Sequence, residues 1–289
     1  ANYVRSTNNS TISQFYYIAA GTFNIGYCQG NSYAYDIGNA TQNQHIVING
    51  YANAINISGN HDVQHNGHCY DLTISSGRYV GNSVGKFTMS GGEADIIYNQ
   101  QADSSNQNQI SVSGGAAQIE LLSQQNTNFT PISISGGQVI LTGGYYGASS
   151  NYSVTVSGGE LIYKAHIDYA LYSSTNKNPI TLTGGLLRMQ GYVKNQLTDS
   201  DSTPQQSTCI KKTGGTLILD GATLIVSSSV APPIWAPDQS EEVKIYAGGV
   251  NTNRTGSLGL LAASSSFGSG AYALTNPLGG MIIEDASVE

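Results

Sequence analysis

Four side chains that commonly bind transition metals lie within nine residues of the chain: His61, His65, His68 and Cys69. Imidazole nitrogen and thiolate sulfur are ligands that zinc and iron accept readily. The spacing matches no standard zinc motif, and no second cysteine or acidic pair accompanies the group at a conventional offset. We therefore predict a polar loop with incidental histidines. The alternative is a metal site, including one that several chains could share around a symmetry axis.

Three carboxylates could do the acid–base chemistry of carbohydrate cleavage. Glu93 and Glu160 each follow a pair of glycines directly, and Asp95 lies two residues after Glu93. Hydrolysis of a glycosidic bond normally uses two carboxylates that flank the bond. Ala116 and Gln138 occupy the same position after the two intervening glycine pairs. The sequence therefore predicts no ladder of carboxylates.

A polysaccharide lyase would also need a Ca²⁺ cluster and a basic residue beside the abstracted proton. Lys164 and Arg188 lie near predicted strand ends, but no clustered aspartates accompany them. We therefore predict no catalytic, metal or cofactor site. An enzyme that degrades polysaccharides, either a hydrolase or a lyase, is the alternative.

Several tyrosines gather in the second half of the repeating region. Aromatic side chains make good surfaces for binding sugars or proteins. Tyrosine is also favoured in β-strands for its packing alone. Both interpretations are open for Tyr145, Tyr146, Tyr152, Tyr163, Tyr169 and Tyr172.

The strands expected to position these side chains are predicted from a sequence motif that is repeated along the middle of the chain. Each copy holds two spaced apolar residues, then Ser or Thr, two glycines, and two more spaced apolar residues. Three consecutive steps between copies are 23, 22 and 22 residues, a period typical of stacked repeats. Longer steps indicate polar inserts, among them 168–179 and 191–208. The Ser or Thr of each clear copy is Ser90, Ser113, Ser135, Ser157, Thr183 or Thr213, with weaker forms at Ser58 and Ser75.

The glycine pair predicts a bend inside each repeat. Apolar and polar residues alternate on both sides of the pair, as they do in short strands. The inward residues Val112 and Ile119 are separated by an odd number of positions, whereas a straight strand keeps such separations even. Glycine allows the positive φ and the close backbone approach that a corner needs. Each repeat is therefore predicted to be two strands that meet at a corner, and repeats must stack to bury their apolar rows.

This pattern predicts an all-β fold, a right-handed parallel β-helix (a solenoid) with a small C-terminal β module. A unit of 22 residues suits one coil of such a solenoid better than a propeller blade. Three prolines and the sole tryptophan, Trp235, are expected to end the stack, because proline cannot donate to a ladder. The predicted divisions are an N-terminal cap or irregular first coils over 1–43, the β-helix over 44–226, a Pro-rich cap or linker over 227–240 and the C-terminal module over 241–289.

Composition narrows the class of partner. Only 10% of residues are charged, and the 11 Lys and Arg residues are scattered, which argues against nucleic-acid binding. No stretch approaches the roughly 18 apolar residues needed to cross a bilayer, so we expect no membrane insertion.

The odd set of Cys28, Cys69 and Cys209 favours buried free thiols over a disulfide framework. The N-terminus has no initiator Met and no signal-peptide pattern, so we expect it to be processed or truncated.

The chain resembles the parallel β-helix fibres and tailspikes of bacteriophages. The resemblance is carried by the Ser/Thr-Gly-Gly coils over 44–226, by the polar but nearly uncharged composition, and by the tail. Within the tail, 242–246 and 281–289 look like the C-terminal end of structural proteins from phages of Bacteroidetes hosts. No tailspike catalytic motif can be matched.

This resemblance implies a homotrimer at the virion surface that contacts other virion proteins and binds a host-surface glycan or protein. We therefore expect an extracellular structural appendage, a phage fibre or spike, that displays itself and attaches without turnover. A bacterial surface adhesin of the autotransporter type is a further alternative. It would need an outer-membrane translocation domain, which this chain lacks but a longer gene could encode.

Overall fold

The structure is a computed structural model of the 289-residue chain. All of its regular secondary structure in the described residues is β-strand, and none of it is helix. No helix that could span a membrane is found in that part of the chain. The structure describes residues 23–28, 34–37, 45–99, 109–121, 129–143, 151–164, 170–173, 180–190, 192–195, 208–219, 223–226, 234–235, 243–246 and 281–284.

The strands are short at both ends of the chain and longer in the middle, where several run through a glycine pair. Their bounds are β1 (Phe23–Cys28), β2 (Ala34–Ile37), β3 (His45–Gly50), β4 (Ala52–Ile57), β5 (Asp62–Asn66), β6 (Cys69–Ile74), β7 (Arg78–Met89), β8 (Glu93–Tyr98), β9 (Gln109–Leu121), β10 (Phe129–Gly143), β11 (Asn151–Val156), β12 (Glu160–Lys164), β13 (Ala170–Ser173), β14 (Ile180–Met189), β15 (Tyr192–Asn195), β16 (Ile210–Leu219), β17 (Thr223–Val226), β18 (Ile234–Trp235), β19 (Val243–Tyr246) and β20 (Met281–Glu284).

Every pairing between described strands is parallel, which confirms the all-β, parallel part of the prediction. One ladder runs from β1 through β3, β5, β7, β8, β9, β10, β12, β14 and β16 to β19 and β20. A second runs from β2 through β4, β6, β7, β9, β10, β11, β14 and β16 to β18. A third, separate sheet contains β13, β15 and β17.

The buried side chains form one continuous apolar cluster. Burial alternates along several of the described strands, as in β8, where Ala94, Ile96 and Tyr98 are buried between more exposed neighbours. On the two sides of one glycine pair, Val112 and Ile119 are both buried. The predicted change of facing at the glycines is therefore confirmed, although β9 continues through the pair as one strand.

The glycine pairs are required by the stacking of successive copies. Gly115 has a φ of 83°, a conformation that side chains with a Cβ rarely adopt. Its neighbour Gly114 is constrained by space, because a Cβ there would lie 2.3 Å from the carbonyl oxygen of Ser90. A Cβ on Gly136 would likewise lie 2.2 Å from the carbonyl oxygen of Ser113 in the preceding copy. The backbone of one corner thus rests directly on the backbone of the corner before it.

Parallel pairing continues into the stretch that was expected to end the stack. Within 227–240, β18 pairs with β16, so that Trp235 lies opposite Lys211. The Lys211 Nζ lies 5.5 Å from the centre of the Trp235 ring. The three prolines of this stretch, residues 1–22 and most of the predicted C-terminal module lie outside the described residues. The domain boundaries themselves stay predictions.

Candidate functional site

The predicted polar loop of histidines is wrong, because two of the three face the core. His61 and His65 are each 1% exposed. His65 lies on β5 in register with Ile48, at an inward position of the strand. Its Nε2 lies 2.8 Å from the carbonyl oxygen of Gly50, and its Nδ1 lies 2.9 Å from the Tyr79 hydroxyl. Both nitrogens are thus satisfied inside the protein.

Burial controls the ionisation of this part of the core. Burial lowers the pKa of His65, and this outweighs the hydrogen bond to Gly50, which acts in the opposite direction. Burial also raises the pKa of the Tyr79 hydroxyl and of the Cys69 thiol. The thiols of Cys69 and Cys209 are buried and form no disulfide, as predicted. The side chain of Cys28 is not among those that the structure describes.

His61 and His68, two of the candidate metal ligands, have different surroundings. In the described part of the chain neither ring nitrogen of His61 has a hydrogen-bond partner, although both are buried. His68 points to a different neighbour, the hydroxyl of Ser83. Among the described residues, no group of three or more His, Cys, Asp or Glu side chains is placed to hold a metal ion.

A second polar group, which we call the Ser83 corner, contains Tyr51, His68, Ser83 and Asn99. Ala52, Cys69 and Val84 lie opposite one another on paired strands. Tyr51, His68 and Ser83 each directly precede one of these three residues. The rings of Tyr51 and His68 stack with their centres 5.0 Å apart. The Asn99 Nδ2 donates to the Ser83 Oγ at 3.0 Å. Among these residues only His68 could be singled out from the sequence, because an Asn-Ser step within a strand is unremarkable in so polar a chain.

The three candidate carboxylates lie where the sequence predicts. The position after each glycine pair forms one row, which reads Glu93, Ala116, Gln138 and Glu160 in consecutive pairings. Ala116 and Gln138 separate the two glutamates along this row, in the register that the sequence predicts. Three strand steps separate Glu93 from Glu160, about 14 Å at the usual strand spacing. These two residues cannot flank one glycosidic bond, whereas Glu93 and Asp95 lie two residues apart on one outward face.

An open groove of about 240 Å³ lies over this row, and we call it the Glu93 groove. Ala116, between Glu93 and Gln138, leaves space because its side chain is small. The Arg78 Nε lies 3.9 Å from Glu93, and the Gln138 Nε2 donates to Glu160 at 2.7 Å. The lining residues are Arg78, Glu93, Ala94, Asp95, Ala116, Ala117, Gln118, Gln138 and Ile140.

At one end of the row that contains Glu93, neighbouring side chains are linked by ionic contacts. The Asp62 carboxylate lies 3.0 Å from Arg78 and 2.9 Å from His45. Burial alone would raise the pKa of Asp62, but the hydrogen bonds and charges of His45 and Arg78 hold it below its usual value. The sequence-based search missed Arg78 because the charged contacts join residues on different copies of the repeat.

The remaining candidates do not join the groove. Arg188 lies in the same row as Asp95 but four strand steps away, about 19 Å at the usual spacing. Lys164 ends β12 on the exposed side. Tyr163 is fully buried, which favours the packing interpretation for that tyrosine. The binding interpretation stays untested for Tyr145, Tyr146 and Tyr169, which lie outside the described residues, and for Tyr152 and Tyr172, whose side chains are not described.

Comparison with known proteins adds no relative. No protein-family model, no curated protein and no solved structure matches the chain.

Proposed function

We propose that the chain is a right-handed parallel β-helix that serves as a subunit of a virion appendage, a phage fibre or spike. The observation that carries this proposal is the long parallel ladder with stacked glycine corners. Twelve strands in the first ladder correspond to a rod of about 50 Å at the usual spacing. Such a rod suits display and reach, because each coil contacts only its neighbours.

Assembly as a homotrimer is part of this proposal. Ile140 and Ile162 lie opposite each other on the outward side of neighbouring strands, and each is only half-buried. Adjacent half-buried aliphatic side chains on the outward side of the strands give copies of the chain a surface on which to associate. Other virion proteins would hold the ends of the rod.

Attachment to the host is assigned to the outward face, with the Glu93 groove as the first candidate contact. The groove offers carboxylate, amide and guanidinium groups to a host-surface glycan or protein. The site would act at the virion surface, outside the cell, and would require no turnover.

Two measurements test the proposal. Light scattering of the purified chain should give three times the chain mass, and mass spectrometry should detect the chain in particles purified from the culture that carries its gene. A stable monomer at micromolar concentration would contradict the trimer. Absence of the chain from purified particles would contradict the virion role.

A polysaccharide-degrading enzyme is the second candidate, and the pair Glu93 and Asp95 favours it. Two residues on one strand face lie about 7 Å apart, a separation that suits carboxylates on either side of an attacking water. Incubation with host capsular polysaccharide should then release reducing ends, and Asp95→Asn should abolish the release. The matched control is Glu120→Gln, an exposed carboxylate on β9 outside the groove. No release by the unaltered chain would eliminate this candidate.

A further inference from the structure

The Ser83 corner has a polar arrangement that attachment does not require. The Nδ1 of His68 is in hydrogen-bond contact with the Ser83 Oγ, and the Asn99 Nδ2 lies 3.0 Å from the same oxygen. An amide nitrogen can only donate, so Ser83 accepts from Asn99. In the His68 tautomer whose proton is on Nε2, the Ser83 hydroxyl donates its own proton to the His68 Nδ1. This is the arrangement of a hydroxyl nucleophile beside a base.

The imidazole of His68 is held in place by its other neighbour. Tyr51 stacks on the ring with an angle of 11° between the two planes. A base whose ring is fixed by a third group keeps its accepting nitrogen aimed at the hydroxyl, which is the general design of activated nucleophiles. Tyr51 would therefore be a positioning residue for His68.

The backbone of Ser83 supplies an independent observation. Its φ is 66°, the only positive value found for a non-glycine residue in the described part of the chain. The pairing of β7 with β8 also shifts register between Asn82 and Val84, as it does at a β-bulge. Bulges and strained φ values concentrate at functional sites, where they aim a side chain. A corner that served only the fold could use glycine here, as the chain does at Gly50, whose φ is 105°.

We propose that the Ser83 corner is an acyl-transfer site that cleaves small O-acyl esters, with Ser83 as nucleophile and His68 as general base. The Ser83 Oγ attacks the acyl carbon while its proton passes to the His68 Nδ1. The ester C–O bond then breaks, and the departing alcohol takes that proton from His68. Water, activated by His68, hydrolyses the acyl-Ser83 and releases the carboxylic acid.

Burial limits which esters can react. Ser83 is 9% exposed and Asn99 is 7% exposed, so little of the nucleophile's surface is open to a substrate. The site therefore suits a small acyl group, such as acetyl, on an alcohol that stays outside the protein surface.

The test uses the purified full chain with 4-nitrophenyl acetate and a small fluorophosphonate. We expect release of 4-nitrophenol and a single phosphonate adduct, located on Ser83 by peptide mass spectrometry. His68→Phe keeps an aromatic ring against Tyr51 but removes the base. It should slow labelling by roughly 100-fold, the lower end of typical general-base contributions.

Two further variants make the outcome decisive. Ser83→Gly should give no adduct while remaining folded, because glycine accepts the positive φ. Ser113→Ala removes another hydroxyl, one that contacts the carbonyl oxygen of Met89, and should leave labelling unchanged. If His68→Phe does not fold by circular dichroism, His68→Gln replaces it. No adduct on Ser83 in the folded chain, or equal labelling without His68, would overturn the proposal and leave the virion role untouched.

Discussion

The single residues that decide this fold are the glycines at the corners. Gly136 faces the carbonyl oxygen of Ser113 so closely that no Cβ fits between them. The requirement comes from the neighbouring copy of the repeat, and it would vanish in an isolated strand. This explains why glycine recurs at the same place while the residues around it vary.

Replacement of Gly136 by alanine should destabilise the protein through this contact. A forced overlap in a packed region typically costs about 1–3 kcal/mol, and the urea midpoint should fall accordingly. Ser135→Ala, an exposed position beside it, should leave the midpoint nearly unchanged. Equal midpoints for Gly136→Ala and the unaltered chain would show that the corners do not stack as described.

His65 should make the fold sensitive to mild acid. Its pKa is lowered by burial, so below the unfolded-chain value of about 6.5 the unfolded chain binds a proton that the folded chain resists. The stabilising contribution is complete above about pH 6.5 and is lost progressively as the pH falls toward the folded pKa.

The measurement is the urea midpoint at about pH 7.5 and about pH 5, on either side of that value. His65→Gln should show a smaller difference between the two midpoints than the unaltered chain. His45→Gln, which alters a histidine that is about half exposed, is the control for a general effect of losing an imidazole. An unchanged difference in His65→Gln would contradict the assignment.

The place of a side chain in the ladder could be predicted where it depends only on the number of residues between that side chain and a glycine pair. The row of Glu93, Ala116 and Gln138 is an example, because each of these residues directly follows a glycine pair. The Ser83 corner could not be found in this way, because it joins His68 to a residue only 15 positions later, where the spacing departs from the 22-residue period. The burial of His61 and His65 was visible in the sequence as their alternation with Val63. Because imidazole is polar, this alternation did not stand out as a row of inward side chains.

At the scale of the element, the third sheet is the main addition to the prediction. Its strands β13 and β15 lie within 168–179 and 191–208, which the sequence marked as polar inserts. Each has only four residues, too few for the alternation of apolar and polar residues to stand out. The longer strands beside the glycine pairs were predictable because two apolar residues on each side repeat in every copy.

Strand register gives a test of the ladders. One residue inserted after Ile140, inside β10, would turn the following side chains to the opposite face and move Leu141 out of the core. We expect loss of the folded state, measured as rapid proteolysis and loss of the β-sheet circular dichroism signal. The control is the same insertion within 122–128, between β9 and β10, which should be tolerated because connecting segments accept added length. Equal protease resistance of the two variants would contradict the pairing.

For the whole molecule, the two long ladders make stability depend on neighbouring repeats. Stacked coils gain most of their stability from the interface with the next coil, so an exposed end needs a cap or a partner. The nearly uncharged surface, with 10% charged residues, places little repulsion between copies. Both features agree with a subunit that works as part of a larger assembly.

Electron cryomicroscopy of the purified chain, at a resolution that separates strands about 4.8 Å apart, should show a particle of three copies. Each copy should be a stack of parallel rungs with the glycine corners aligned along the rod. A particle with a single copy, or with antiparallel strands in place of stacked rungs, would contradict the proposed trimeric β-helix.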